Sequence, residues 1–267
     1  MHRIPTVQIT AGARRTASLA LALALTLSVA GCGRPIPAAS EPTTSQDGLP
    51  AASPPGRTDA PPATPDGITA AWATRDVAVW SRPGGGKLVR VFPAKQPWGD
   101  PIAFLVRRQV HHDGVVWHQV LVPHRPNGST GWVKDGQVRV VPLVYRVEVH
   151  LSRRELRVLK GDRVERRLPV AIGAGSTPTP TGDFYLSAKL RPPRISPVFG
   201  SWALALSAWS EVLDQFGTGD GQIALHGTRS LATLGKAVSH GCVRLDDRAI
   251  IELAELLPLG SPVTISA

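Results

Sequence analysis

Punctuation limits what this chain can fold into. From Ile68 onward the apolar residues come in short alternating runs rich in β-branched side chains, and turn residues break nearly every run; the chain holds 26 glycines and 25 prolines. Residues 77–80, 87–92, 102–109, 115–122 and 131–133 read as strands, as do 145–151, 155–159 and 164–172. Helical spacing occurs only at 247–257, where Ile250, Leu253, Ala254 and Leu257 share one face, Asp246 can cap the start, and Pro258 and Gly260 stop it. A last strand falls at 263–265. The pattern predicts a mainly β protein: a small β-barrel at 68–142, then a second sheet domain at 143–267 whose short helix comes late. Trp80, Trp98, Trp117 and Trp132 are expected to fill the barrel core. His111 and His112, beside Asp113-Gly114, are expected in a hairpin turn and have no metal-ligand spacing.

The first part of the chain reads differently. His2, Arg3, Arg14 and Arg15 precede an apolar run at 19–27, and small residues lead up to Cys32, the order of an export signal over 1–31. The run is shorter than the ~20 residues of a spanning helix. Val29-Ala30-Gly31-Cys32 resembles a bacterial lipobox, which implies cleavage before Cys32 and lipid on that cysteine, anchoring the protein on the outer face of the membrane. Residues 32–67, rich in Pro, Ala, Ser and Thr, have almost no large apolar side chain and are expected to form an unstructured tether. At ~3.1 Å per residue it would reach up to roughly 100 Å. The formal net charge is +10, and losing Arg3, Arg14 and Arg15 with the signal leaves the rest basic. That charge suits anionic wall polymers or lipid headgroups; nucleic acid is out of compartment, and no aromatic-basic alternation suggests it.

Only two cysteines are present, Cys32 and Cys242. With Cys32 lipidated, Cys242 has no partner in its chain and reads as a nucleophile. A free thiol, with a pKa of ~8.5, needs a base or positive surroundings to react at neutral pH. His226, sixteen positions before Cys242, and His240, two before it, are both candidate bases, and Arg244 follows. His240 would share a side with Cys242 if the segment is extended. Gly241 permits close backbone approach, and the amides of Gly241 and Cys242, with His240, could bind an oxyanion. Ser239 can hydrogen-bond the loop or a substrate. Arg244 can meet a substrate carboxylate in a forked contact or hold the loop against Asp246 or Asp247. Thr228, Ser230 and Lys236 read as loop architecture, and Trp202 and Trp209 as either lining or packing the cleft. A metal site built on His226, His240 and Cys242 lacks a fourth ligand.

Three ordered motifs, Thr177-Pro-Thr-Pro-Thr-Gly-Asp-Phe-Tyr185, Ile223-Ala-Leu-His-Gly-Thr228 and Ser239-His-Gly-Cys-Val-Arg244, resemble the L,D-transpeptidase catalytic domain, also called YkuD-like. The resemblance covers about half of the chain, from Leu143 to Ser266. It implies a β-sandwich-like domain with the cysteine in a cleft, Cys242 as nucleophile, His226 as base and the carbonyl of Gly227 as the group that orients it. It further implies a thioester route to 3→3 peptidoglycan cross-links from donor and acceptor stem peptides, without cofactor or metal. Carbapenem-type β-lactams are expected to acylate the same sulfur. An L,D-carboxypeptidase using that nucleophile and a non-catalytic wall-binding lipoprotein remain as alternatives. The alternation at 115–120, the turn at Pro126-Asn127-Gly128 and the run Gly131-Trp132-Val133 also resemble bacterial SH3-like envelope domains, a resemblance taken over 68–142, which implies binding of wall peptides or a spacer role.

Overall fold

The computed structural model describes residues 67–267 apart from Pro193, Pro197 and Thr218. The signal and tether readings, Cys32 included, lie outside the described residues, save for Gly67. The first sheet is built from β1 (Thr69–Ala73), β2 (Val77–Arg82), β3 (Gly85–Phe92), β4 (Ala103–His112), β5 (Val115–Leu121), β6 (Thr130–Lys134) and β7 (Val138–Pro142). Its order is β3-β2-β6-β5-β4-β1-β7, antiparallel throughout, so the first and last strands are neighbours. Period-two alternation turns Ala71, Val77, Val79, Phe104, Val120 and Val133 onto one dry core.

The second sheet contains β8 (Tyr145–His150), β9 (Glu155–Lys160), β10 (Arg163–Pro169), β12 (Gly182–Leu190), β13 (Ala203–Trp209), β14 (Gln222–Thr228), β16 (Val243–Asp246) and β17 (Pro262–Ser266). A separate parallel pair joins β11 (Ile172–Gly173) to β15 (Ala237–Ser239). The order in the large sheet is β10-β9-β8-β17-β12-β13-β14-β16. The meander β8-β9-β10 is antiparallel, whereas β8/β17 and β14/β16 pair in parallel. The one α-helix among the described residues, α1 (Asp247–Leu256), starts where Asp246 accepts the amide of Arg248 at 2.8 Å and buries Ile250, Leu253 and Ala254 against the sheet. The described residues are therefore mainly β, with two large sheets, a short parallel pair and one α-helix after the cysteine.

Several expectations need correction. The run at 164–172 is two elements, because after Pro169 the chain leaves β10 and Ala171 bridges Arg244 instead. His111 and His112 end β4, and only Asp113-Gly114 forms the turn. Trp117 and Trp132 are buried and Trp80 is half-buried, but Trp98 is 48% exposed. It lies in the loop between β3 and β4, where Gly99 N–H donates back to Gln96 O.

The two sheets meet along an apolar seam of Ala70, Leu105, Leu121, Leu143 and Tyr185, with Trp72 packed against it. The Trp72 indole donates to Leu259 O at 2.9 Å, so the seam has a polar pin.

Candidate active site

Small residues open a cleft in the second sheet. Along β13 leucine alternates with alanine: Leu204 and Leu206 join the core, while Ala203 and Ala205 line a groove together with Ala224 of the adjacent strand. Register places Ala203 beside His226 and Ala205 beside Ala224. On the other side of β14, His226 pairs with Arg244, and Cys242 stands just before β16. Paired positions of parallel strands face the same way, so His226, Arg244 and Cys242 project on the alanine side. Leu225, Val243 and Leu245 point the other way, into the core.

Cys242 is free and half-buried, and His226 is buried. Both line one small pocket with Ser239, His240 and Arg244, and Cys242 also borders the larger alanine-floored groove. The Nδ1 of His226 lies 2.9 Å from the carbonyl of Gly227, and the ring of Phe199 packs edge-on at 5.2 Å. With Nδ1–H donating to that carbonyl, Nε2 is left as the basic nitrogen. Burial lowers the His226 pKa to about 4, with the nearby Arg244 charge adding to the drop and the Gly227 carbonyl opposing it. Burial raises that of Cys242, opposed by a backbone hydrogen bond from Ala224 and by the charge of Arg244. The resting pair at neutral pH is thus thiol and neutral imidazole.

The backbone around Gly227 is itself held. Gly227 N–H donates to Phe199 O and Trp202 O, while Asp247 accepts the Ser201 amide at 2.7 Å and the Ser201 hydroxyl at 2.6 Å. A Cβ on Gly227 would come within 2.1 Å of Asp247 Oδ1, so only glycine lets that carboxylate tuck under the His226–Gly227 strand.

The cysteine loop is clasped from two sides. The Ser239 hydroxyl accepts Gly241 N–H at 3.1 Å and donates to Cys242 O at 2.6 Å. From the Thr-Pro repeat, Thr177 Oγ1 donates to Ser239 O at 3.0 Å, and Thr179 Oγ1 donates to Gly241 O at 2.8 Å while accepting Gly173 N–H. Gly241, at φ +115°, sits so close to Ile223 that a Cβ would be 2.9 Å from its Cδ1.

Two sequence readings change here. His240 does not lie on one extended face with Cys242, because β15 ends at Ser239 and the chain bends through Gly241; the exposed His240 ring instead stacks on Phe216 at 4.9 Å. The Gly241 amide, expected to be free for an oxyanion, is instead bonded to the Ser239 hydroxyl. Asp246 caps α1 and Asp247 binds Ser201, leaving Arg244 directed at the pocket with its Nε buried and without a protein partner. Among the described residues no three His, Cys, Asp or Glu side chains gather as a metal-ligand set. Sequence reasoning gave no role to Phe199 or Phe216 and did not anticipate the Asp247–Ser201 clamp. The alternating threonines of 177–179 were the one legible sign of the clasp.

Residues 144–265 match the family model of the L,D-transpeptidase catalytic domain, YkuD. The YkuD protein of Bacillus licheniformis is 34% identical over 155 residues, covering 55% of this chain and 86% of the relative. The chain belongs to the YkuD family of L,D-transpeptidases. The YkuD protein of Bacillus subtilis is similarly related, 35% identical over 138 residues, which is 49% of this chain and 76% of the relative. An L,D-transpeptidase structure from Mycobacterium tuberculosis H37Rv aligns at 15% identity with a TM-score of 0.41, covering 57% of this chain and 90% of that one. At that level the alignment adds nothing to the family assignment. The Cys242–His226 cleft lies inside the matched region.

Proposed function

We propose that this YkuD-family chain is a peptidoglycan L,D-transpeptidase forming 3→3 cross-links, with Cys242 as nucleophile and His226 as its base. One observation carries the reading: a buried imidazole whose Nδ1 is fixed on the Gly227 carbonyl shares a pocket with a free thiol at the edge of a groove. As substrate arrives, Nε2 of His226 takes the thiol proton and Sγ attacks the carbonyl of the third residue of a tetrapeptide donor stem. The amides of Cys242 and His240 stabilise the oxyanion. The bond to D-alanine breaks, its nitrogen leaves with the proton held by His226, and a thioester remains. A side-chain amine of a neighbouring stem then attacks the thioester carbonyl, forms the new amide and returns Cys242 to the thiol. Arg244, with no acidic partner among the described residues, binds a stem carboxylate.

Because the sulfur attacks strained amides by the same route, carbapenem-type β-lactams acylate Cys242. The lipobox-like junction supports a location outside the cell with Cys32 as the anchor, and the SH3-like strand pattern supports wall contact by the N-terminal sheet. The full chain in detergent, incubated with disaccharide-tetrapeptide, tests the reading by mass. A dimer lighter by one D-alanine is expected and should vanish in Cys242→Ala. A tripeptide product alone would make the protein an L,D-carboxypeptidase, and no product would refute acyl transfer.

A further inference from the structure

The connection from β13 to β14, residues 210–221, walls the pocket: Ser210, Leu213, Phe216 and Gly221 line it, and Phe216 stacks on His240. Its two feet are tied not by the catalytic sheet alone but by the loop between β5 and β6 of the N-terminal sheet. The guanidinium of Arg125 donates through Nη1 to Ser210 O, at the start of the connection, at 2.5 Å. Through Nη2 it donates to Leu213 O at 2.9 Å and to Asp220 O, near the end, at 3.0 Å. Asn127 makes a two-way pair with the last residue of β13: its Nδ2 donates to Trp209 O and its Oδ1 accepts Trp209 N–H, both at 2.8 Å. The Trp209 indole then reaches Asp220 Oδ2 at 3.0 Å. Gly221 leaves room for this arrangement, since a Cβ there would stand 2.9 Å from Arg125 Nη2. The donor loop is braced in turn, with the Ser129 hydroxyl on Pro126 O at 2.6 Å and Val122 N–H on Ser129 O at 2.8 Å.

We propose that Arg125 and Asn127 are positioning residues for the catalytic domain: the N-terminal sheet sets the wall against which the donor stem is bound. This rests on the transpeptidase reading of the same cleft. Neither residue is needed to hold the two sheets together, because the apolar seam and the Trp72–Leu259 bond do that elsewhere. Four of their five bonds to the catalytic domain end on carbonyl oxygens and the fifth on the Trp209 amide, so they fix the path of the backbone rather than pack a side chain. A planar fork reaching three carbonyls at both feet of one connection is a geometry that lysine cannot reproduce. Cys242, His226 and Gly227 lie on other elements, so loss of Arg125 displaces the wall and leaves thiol chemistry intact.

The full chain and its Arg125→Ala, Asn127→Ala and Arg125→Lys variants test this through donor turnover, alkylation of Cys242 by iodoacetamide, and hydrogen exchange across 210–221. Arg125→Ala is expected to raise KM for the disaccharide-tetrapeptide tenfold or more and to speed exchange in 210–221. Its kcat and alkylation rate should stay within threefold of wild type, and Arg125→Lys should recover part of the loss. Unchanged KM and exchange would overturn the proposal. So would a parallel fall of kcat and alkylation, the mark of general loosening. Should Arg125→Ala lose its thermal transition, Arg125→Lys and Asn127→Ala carry the same comparison. A wild type that turns over no donor refutes the transpeptidase reading, and hydrogen exchange still decides whether the N-terminal sheet anchors the wall.

Discussion

The buried imidazole of His226 should make the protein sensitive to mild acid, by an amount that follows from its surroundings. In the unfolded chain a histidine titrates near 6.5; in the folded protein burial and the Arg244 charge bring His226 to about 4 against the pull of the Gly227 carbonyl. Between those values the unfolded state binds the extra proton, so stability falls as pH drops through this window and is unaffected above pH 7. At 1.36 kcal/mol per pH unit the loss reaches about 3 kcal/mol by pH 4. For a folded part of this size, at ~2–4 °C per kcal/mol, that is about 10 °C in Tm. His226→Asn keeps an amide nitrogen where Nδ1 meets Gly227 O but cannot titrate. It sacrifices the contact with Phe199 at every pH, so the informative quantity is the difference between pH 7.5 and pH 4. Thermal melts at both should show the wild type losing about 10 °C more than the variant, with the carboxylates common to both cancelling. Equal losses would mean that His226 titrates at its ordinary value, and the picture of a desolvated neutral base would be wrong.

Two further outcomes follow from the groove and the clasp. Ala205→Leu places a branched side chain on the groove floor beside Ala224, and should cut donor turnover tenfold or more while iodoacetamide still alkylates Cys242 at a rate within threefold of wild type; competent turnover would show that the donor does not lie over β13. Thr179→Val keeps the shape but leaves Gly173 N–H and Gly241 O without their shared hydroxyl, which should cost about 1–3 kcal/mol in urea unfolding and slow Cys242 acylation. A variant as stable and as reactive as wild type would remove the clasp from the account.

The family was legible in the sequence because its motifs are local strings. Ser239 to Arg244 and His226-Gly227 are short and ordered, and can be recognised without knowing where they sit in the fold. Strands at 77–80, 145–151 and 155–159 could be read because each has one face in a core and one more open to solvent, which writes alternation into the residues. Ala203–Trp209 and Gln222–Thr228 escaped notice since they are covered on both faces, and their alternation is of size, leucine against alanine, rather than of polarity. Yet that alternation makes the groove. The bend after Ser239 and the Gly227 carbonyl partner of His226 Nδ1 are features that sequence spacing cannot express. The hold of Arg125 on carbonyls some 90 positions away was equally invisible, because backbone oxygens are the same at every residue. Sequence determined which atoms can react; tertiary structure decided which of them meet and what walls surround them, since those depend on strand register and on contacts between sheets.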